Sequence, residues 1–171
     1  MENIVLTPLT ETHLAGWWDS EKSTWKENWY PPNYFENRNN LLAKLKSFPW
    51  GCWVAGGQNE KMGDCIGYAF SHPWSNYSPP PKLNQFDFRL PKDLDCYYVH
   101  DICVAPDFRR QGVGIALTIK VLAIAAALGY SKVKLISVLN SHTYWQKFGF
   151  ECIQECEYGG KPAKVMVKNE L

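Results

Sequence analysis

The sequence predicts a mixed α/β fold, with one central sheet and helices on both faces. Three observations carry that expectation. Apolar runs of strand length recur at 52–55, 65–70, 97–104, 132–138, 150–157 and 163–168. Stretches of helical length and pattern stand among them, above all 111–128. Turn chemistry separates the runs, as in Gly56-Gly57-Gln58-Asn59 and Tyr158-Gly159-Gly160-Lys161-Pro162. Strands interleaved with helices bury both faces of a sheet, which is the α/β solution.

The elements follow in order. Residues 4–6 alternate apolar and polar and read as a first strand. Thr10 stands before a helix over about 11–20. An aromatic passage holds Trp17, Trp18, Trp25, Trp29 and Tyr30 and ends at Pro31-Pro32. A second helix is expected over 34–48, with Leu41, Leu42 and Leu45 on one face. Two neighbouring strands, 52–55 and 65–70, come next. Residues 73–95 form the main irregular segment, because Ser78-Pro79-Pro80-Pro81 and Leu90-Pro91 block helix and interior strand. Such a long loop is either functional or a plain surface excursion. After the strand 97–104 and the helix 111–128, Gly129 is the expected stop. A strand at 132–138, a short helix at 140–147 and a closing pair at 150–157 and 163–168 complete the chain.

Composition narrows the class. A chain of 171 residues with 46% hydrophobic content suits one domain with a sizeable core, over 1–171. The net charge of +1 gives no polyanion-binding surface, so no nucleic-acid partner is expected. The longest apolar stretch, 115–128, is interrupted by Thr118 and Lys120 and falls short of the roughly 18–20 residues of a membrane span. No basic segment precedes an apolar run at the N-terminus, so a cytoplasmic, non-membrane protein is expected. The six cysteines lie at 52, 65, 96, 103, 152 and 156, largely within predicted strands and without Cys-x-x-Cys spacing. They are expected to be reduced thiols, and no metal is expected.

Residues 109–114, Arg-Arg-Gln-Gly-Val-Gly, sit between a strand and a long helix. That order aims backbone N–H groups and a helix N-terminus at one point, where a phosphate can sit. Gly112 and Gly114 let backbone approach a ligand, and Arg109 and Arg110 add positive charge. No Gly-Lys-Ser/Thr follows, which argues against a nucleotide P-loop. Ala116 and Leu117 stand where a third glycine of a dinucleotide fingerprint would be sought.

Arg-x-x-Gly-x-Gly after a strand ending in Val-x-Pro resembles the acetyl-CoA signature of the GCN5-related N-acetyltransferases, the GNAT superfamily. Residues 140–150, Asn-Ser-His-Thr-Tyr-Trp-Gln-Lys-Phe-Gly-Phe, resemble that superfamily's later motif. The resemblance implies a single GNAT-like domain with a mostly antiparallel sheet, acetyl-CoA as co-substrate and a primary amine as acceptor. It places the diphosphate of CoA against the backbone amides of Arg110, Gln111, Gly112, Val113, Gly114 and Ile115, with the charge of Arg109 at the same place. It places the pantetheine arm along the backbone of Ile102, Cys103 and Val104. Trp145 would pack against the acyl-pantetheine end. Asn140 either caps the short helix or touches substrate or CoA.

Within that frame His100 is the candidate base, on the strand that would hold pantetheine. Period 2 puts Tyr98, His100, Ile102 and Val104 on one face. A bulge would change that locally. Tyr98-Val99-His100-Asp101 resembles the arylalkylamine N-acetyltransferase branch, in which two histidines spaced by one residue help to deprotonate the amine. Only the second has a counterpart here, and Tyr98 stands at the first. Asp101 orients His100, attracts a cationic amine, or is satisfied by backbone donors at the strand edge. The usual Tyr four residues before the Gly of Gly-Phe is Trp145, which leaves Tyr144 as candidate proton donor to the departing thiolate.

Seven of the eight tryptophans fall between 17 and 74. Trp25, Trp29, Tyr30, Trp74 and Tyr77, with Tyr98, are candidates for an aromatic acceptor wall, or else they fill a core under the long loop. The expected activity is acetyl transfer to a small-molecule amine by a monomer or homodimer. A non-catalytic acyl-CoA-binding module and a protein N-terminal or lysine acetyltransferase remain as alternatives.

Overall fold

The computed structural model describes residues 4–19, 36–57, 65–85 and 87–171. The strands are β1 (Ile4–Pro8), β2 (Cys52–Gly57), β3 (Gly67–Trp74), β4 (Cys96–Val104), β5 (Lys132–Ser137), β6 (Glu151–Tyr158) and β7 (Lys161–Asn169). The helices are α1 (Glu11–Asp19), α2 (Arg38–Ser47), α3 (Val113–Ala127) and α4 (His142–Gln146). All seven strands form one sheet in the order β1-β2-β3-β4-β5-β7-β6. Each neighbouring pair is antiparallel except β4 with β5, which is parallel.

Both faces of the sheet are covered. On one side α3 lays Val113, Leu117, Val121 and Ala125 against Tyr97, Val99, Val133, Leu135 and Met166. Those four helix positions recur every fourth residue, so they form one stripe. Leu117 and Val121 are fully buried, each contributing about 1.5–3 kcal/mol by leaving water. On the other side Leu14 of α1 with Leu41 and Leu45 of α2 packs on Val54, Tyr68, Phe70 and Cys103. A third cluster, Trp74, Phe88, Cys96 and Tyr98, lies under the long loop.

The ends of the helices follow local chemistry. Asn37 caps α2 by accepting from the Asn40 amide at 3.1 Å. Beyond α3, Gly129 N–H reaches Ala126 O and Tyr130 N–H reaches Ala125 O, the paired bonds of a Schellman stop. The short helix α4 starts later than expected. Its N-cap is Ser141, and Asn140 lies outside it with φ 58°.

Strand β3 also runs past its expected end, through Pro73 to Trp74. Its pairing with β2 stops at Phe70, so Pro73 sits where the strand has only one neighbour. A missing N–H costs little there. All six cysteines are free thiols; Cys52, Cys96 and Cys103 are buried, Cys65 and Cys156 half-buried, and Cys152 exposed.

Candidate active site

The site begins where two strands part. The parallel pairing of β4 and β5 covers only Tyr97↔Val133, Tyr98↔Lys134 and Val99↔Leu135. Both strands continue beyond those pairs without further pairing, and a cleft of about 700 Å³ opens between them. Residues 99–104 line one wall; Leu135, Ile136, Val138 and Leu139 line the other. Arg109, Arg110, Gly112, Gly114 and Ile115 also line it, as do Tyr144 and Trp145. An unpaired strand edge inside a cleft offers N–H and C=O groups to an extended amide-bearing ligand.

A bulge shapes that edge. Between β3 and β4 the register passes from Phe70↔Asp101 to Ser71↔Val99, which leaves His100 as an extra residue. The extra residue reverses the alternation of faces. Tyr97 and Val99 before it, and Ile102 and Val104 after it, all join the core beneath α3. Tyr98 and Cys103 face the opposite side. The expectation that Tyr98, His100, Ile102 and Val104 share one face is therefore corrected: Ile102 and Val104 lie across the sheet from Tyr98 and His100.

The loop before α3 is built from two left-handed residues, Arg110 at φ 62° and Gly112 at φ 90°. Gly112 is the N-cap of α3 and supplies no side chain to its first turn. The first backbone bond of the helix runs from Ala116 N–H to Gly112 O at 2.9 Å. The amides of Val113, Gly114 and Ile115 therefore precede the helical ladder. Arg109 Nε donates to Val104 O at 3.1 Å and Gln111 Nε2 to Asp107 O at 2.8 Å, so both side chains fasten the loop. Val113 is a core residue, and only its backbone is suited to a ligand.

His100 projects from the bulge to the face away from α3, and its side chain is 1% exposed. Its Nε2 donates to Glu36 Oε2 at 2.5 Å, and its Nδ1 has no hydrogen-bond partner. Glu36 also accepts from Lys44 Nζ at 2.7 Å and from the Asn84 amide at 3.2 Å. Burial pushes the Glu36 carboxyl up, but charge and hydrogen bonds from His100 and Lys44 overcome this and hold it at about 2. The orienting carboxylate is thus Glu36. His72 lies beside His100, with ring centroids 6.0 Å apart. Its Nδ1 donates to Pro73 O at 2.9 Å, leaving a buried, unpartnered Nε2. Burial first, and then the charge of His100, lowers its pKa to about 3, so the ring is neutral.

On the lower wall the Tyr144 hydroxyl shares a 2.7 Å hydrogen bond with Thr118. A Cβ on Gly114 would stand 3.4 Å from that hydroxyl. Burial raises the Tyr144 phenol, against the bond from Thr118. Trp145 is buried, edge-on to Phe150, with one side on the cleft.

A model of the acetyltransferase (GNAT) family matches residues 14–150. The chain belongs to the GNAT family. No curated protein sequence matches it. Solved structures share the fold at low identity. The loading GNAT-like domain of CurA from Lyngbya majuscula superimposes with a TM-score of 0.77 at 11% identity, covering 98% of each chain. Ard1 from Thermoplasma volcanium gives 0.71 at 14% identity, again over 98% of each. A NatC complex bound to Gag peptide and CoA gives 0.72 at 15% identity over 100% of each.

As a GNAT acetyltransferase, the chain places several of the sequence candidates around one cleft. Ile102, Cys103, Val104, Arg109, Arg110, Gly112, Gly114, Ile115, Tyr144, Trp145 and His100 all line it. Asn140 is exposed and is neither on the wall nor the cap of α4. Trp74 is a core residue stacked on Phe88 at 5.9 Å, and Tyr98 is buried beneath the same loop. Tyr77 is 90% exposed. Trp25, Trp29 and Tyr30 lie outside the described residues, as do the side chains of Trp17 and Trp18. Among the described residues no group of three or more His, Cys, Asp or Glu side chains could hold a metal ion.

Sequence reasoning missed Glu36, Lys44 and His72. One signal was available. Lys44 falls between Leu41 and Leu45 on the apolar face of α2, and a lysine 1% exposed there needs a buried carboxylate. Nothing in the sequence around Glu36 marks it as that partner.

Proposed function

We propose that this acetyltransferase moves the acetyl group of acetyl-CoA directly to the primary amine of a small molecule. The observation that carries the reading is the His100 imidazole, one nitrogen held by Glu36 and the other unpaired, where β4 and β5 separate. The amides of residues 110–115, with Arg109 and Arg110 nearby, suit the diphosphate. The β4 edge at Ile102, Cys103 and Val104, beyond the last pair with β5, suits the pantetheine amides. That arrangement points the thioester toward the bulge. A hydrogen bond to Glu36 keeps a proton on Nε2, so the neutral form of the ring carries its lone pair on Nδ1. Nδ1 accepts a proton from the ammonium form of the acceptor, directly or through one water. The neutral nitrogen then attacks the thioester carbon, a backbone N–H of the β4 edge steadies the oxyanion, and the C–S bond breaks. The nitrogen gives up its second proton and the thiolate takes one, a transfer for which Tyr144 is the phenol on the wall.

The small-molecule preference is supported by cover. His100 and Glu36 are almost wholly shielded, and Asn84 of the long loop is bonded directly to Glu36. The test is thiol release from acetyl-CoA with a panel of small amines and of peptides bearing free N-termini. Turnover on small amines and none on peptides is expected. Turnover on peptides alone would transfer the reading to protein amino groups, and CoA binding without turnover on any acceptor would leave a non-catalytic module.

A further inference from the structure

We propose that Tyr158 determines acceptor size, by fastening residues 76–84 across the His100 side of the cleft so that only compact amines enter. The inference rests on the acetyl-transfer reading and narrows its substrate class.

The argument starts from the composition of that segment. The three prolines of Ser78-Pro79-Pro80-Pro81 carry no N–H, so they can hydrogen-bond to the fold only through their carbonyls. Two donors meet it. Trp74 Nε1 donates to Pro79 O at 3.1 Å, and the Tyr158 hydroxyl donates to Pro81 O at 2.7 Å. Consecutive prolines are stiff, so fixing two carbonyls orients the whole run. Two further anchors flank it. Lys134 Nζ donates to Asn76 O at 3.2 Å. Asn84 Oδ1 accepts from Asn37 N–H and Asn40 Nδ2, both at 3.0 Å.

These anchors do different work because they sit at different places on the sheet. Lys134 is paired with Tyr98, where β4 and β5 still touch. Tyr158 pairs with Lys161, three residues beyond Lys164, the partner of Ser137 at the end of β5. It therefore stands at the open end of the separated strands. Trp74, Asn37 and Asn40 belong to the β3 side of the opening, whereas Tyr158 belongs to the β6–β7 hairpin on the other. Its bond to Pro81 links that hairpin to the segment 76–84. Most of β6 is exposed, yet the Tyr158 phenol is shielded enough that burial raises its pKa, followed by the charges of Tyr98, Glu36 and Asp101. The phenol thus lies within electrostatic reach of the groups that surround His100.

The test compares wild type, Tyr158→Phe and Lys134→Met on amines from short alkylamines through phenethylamine to diphenyl-substituted alkylamines. Two readouts are taken: kcat/KM by thiol release, and amine affinity of the CoA-loaded protein by calorimetry. Tyr158→Phe removes one oxygen and is expected to raise the bulky-to-small ratio by about fivefold in both, the equivalent of one net hydrogen bond. Acetyl-CoA affinity should not move, amide exchange over 76–85 should accelerate, and Lys134→Met should leave the ratio where it was. An unchanged ratio despite faster exchange in Tyr158→Phe overturns the proposal. So does an equal relaxation in Lys134→Met, which would indicate general loosening. If no protein acetylates any amine, the acetyl-transfer reading fails, and the affinity ratio still decides the role of Tyr158.

Discussion

Glu36 reaches His100 across 64 positions of sequence and holds its Nε2, while the His100 Nδ1 faces no protein partner. The carboxylate is shared with Lys44, so a lysine cation and a carboxylate anion pair behind the His100 ring. A base in this setting gains a fixed tautomer, a fixed orientation and a counter-charge for the imidazolium it becomes. The bulge leaves His100 on the face of Tyr98 and turns the residues after it, Ile102 and Val104, toward the opposite face.

Replacing His100 by Gln should therefore separate chemistry from binding. The amide can occupy the same space but cannot take a proton. The kcat/KM for the amine is expected to fall about 100-fold or more, with CoA affinity unchanged by calorimetry. Equal losses in both would place His100 in the framework of the cleft.

Glu36→Gln keeps the shape and removes the charge. Amine kcat/KM should fall about tenfold, and the protein should lose roughly 3 kcal/mol of stability because Lys44 keeps a buried charge without its partner. Adding Lys44→Met should restore much of the unfolding midpoint and none of the activity. A double variant that recovers activity would show that Glu36 serves packing alone.

The diphosphate loop allows a different test. At Gly112 φ is 90°, and the nearest side-chain atom to a built Cβ is Ile4 Cδ1 at 3.8 Å. Space is therefore available, but the backbone conformation costs a non-glycine residue about 1 kcal/mol. Gly112→Glu would put a carboxylate beside the helix N-terminus, where the diphosphate is proposed to sit. CoA binding should be lost in calorimetry while the thermal midpoint drops only slightly. Retained CoA affinity in a folded variant would remove the diphosphate from this loop.

What could be read in advance follows from how local each feature is. The strand–loop–helix around Gly112 and the stop at Gly129 are set by neighbours a few residues apart, and both were legible. The faces of β4 were not. Residues 96–99 are all buried, on one side of the sheet or the other, so alternation leaves no polar mark by which an extra residue at His100 could be seen. The Glu36–His100 pair joins a segment before α2 to the middle of the sheet, and only the fold brings them together. Likewise Trp74 has the composition of a ligand wall and the position of a core residue, a distinction that burial alone makes.

Gly51 tests the packing behind the site. A Cβ there would lie 1.9 Å from the Ser71 carbonyl oxygen, which is backbone and cannot swing aside. The same two residues are joined by a 2.9 Å bond from Ser71 Oγ to Gly51 O, and Ser71 also meets the Tyr97 hydroxyl at 2.9 Å. Gly51→Ala should cost about 3 kcal/mol or more, read as a lower urea midpoint. A loss under about 0.5 kcal/mol would mean that β3 can move away from this turn.

Acid stability should report the buried pair of histidine and carboxylate environments. The His72 pKa is lowered from 6.5 to about 3, so below 6.5 the unfolded chain takes up a proton that the folded ring refuses. The Glu36 pKa is lowered from 4.5 to about 2, so between those values the unfolded chain again holds the extra proton. Both therefore remove stability as pH falls, His72 from 6.5 down to about 3 and Glu36 from 4.5 down to about 2. Each contributes at most about 1.4 kcal/mol per pH unit within its window. His72→Phe retains a ring against Trp74 and Phe88 and cannot titrate. Urea unfolding at a series of pH values should show the variant losing less stability than the wild type between about 6.5 and 4.5. Parallel curves through that interval would mean that the folded protein protonates His72 as readily as the unfolded chain does.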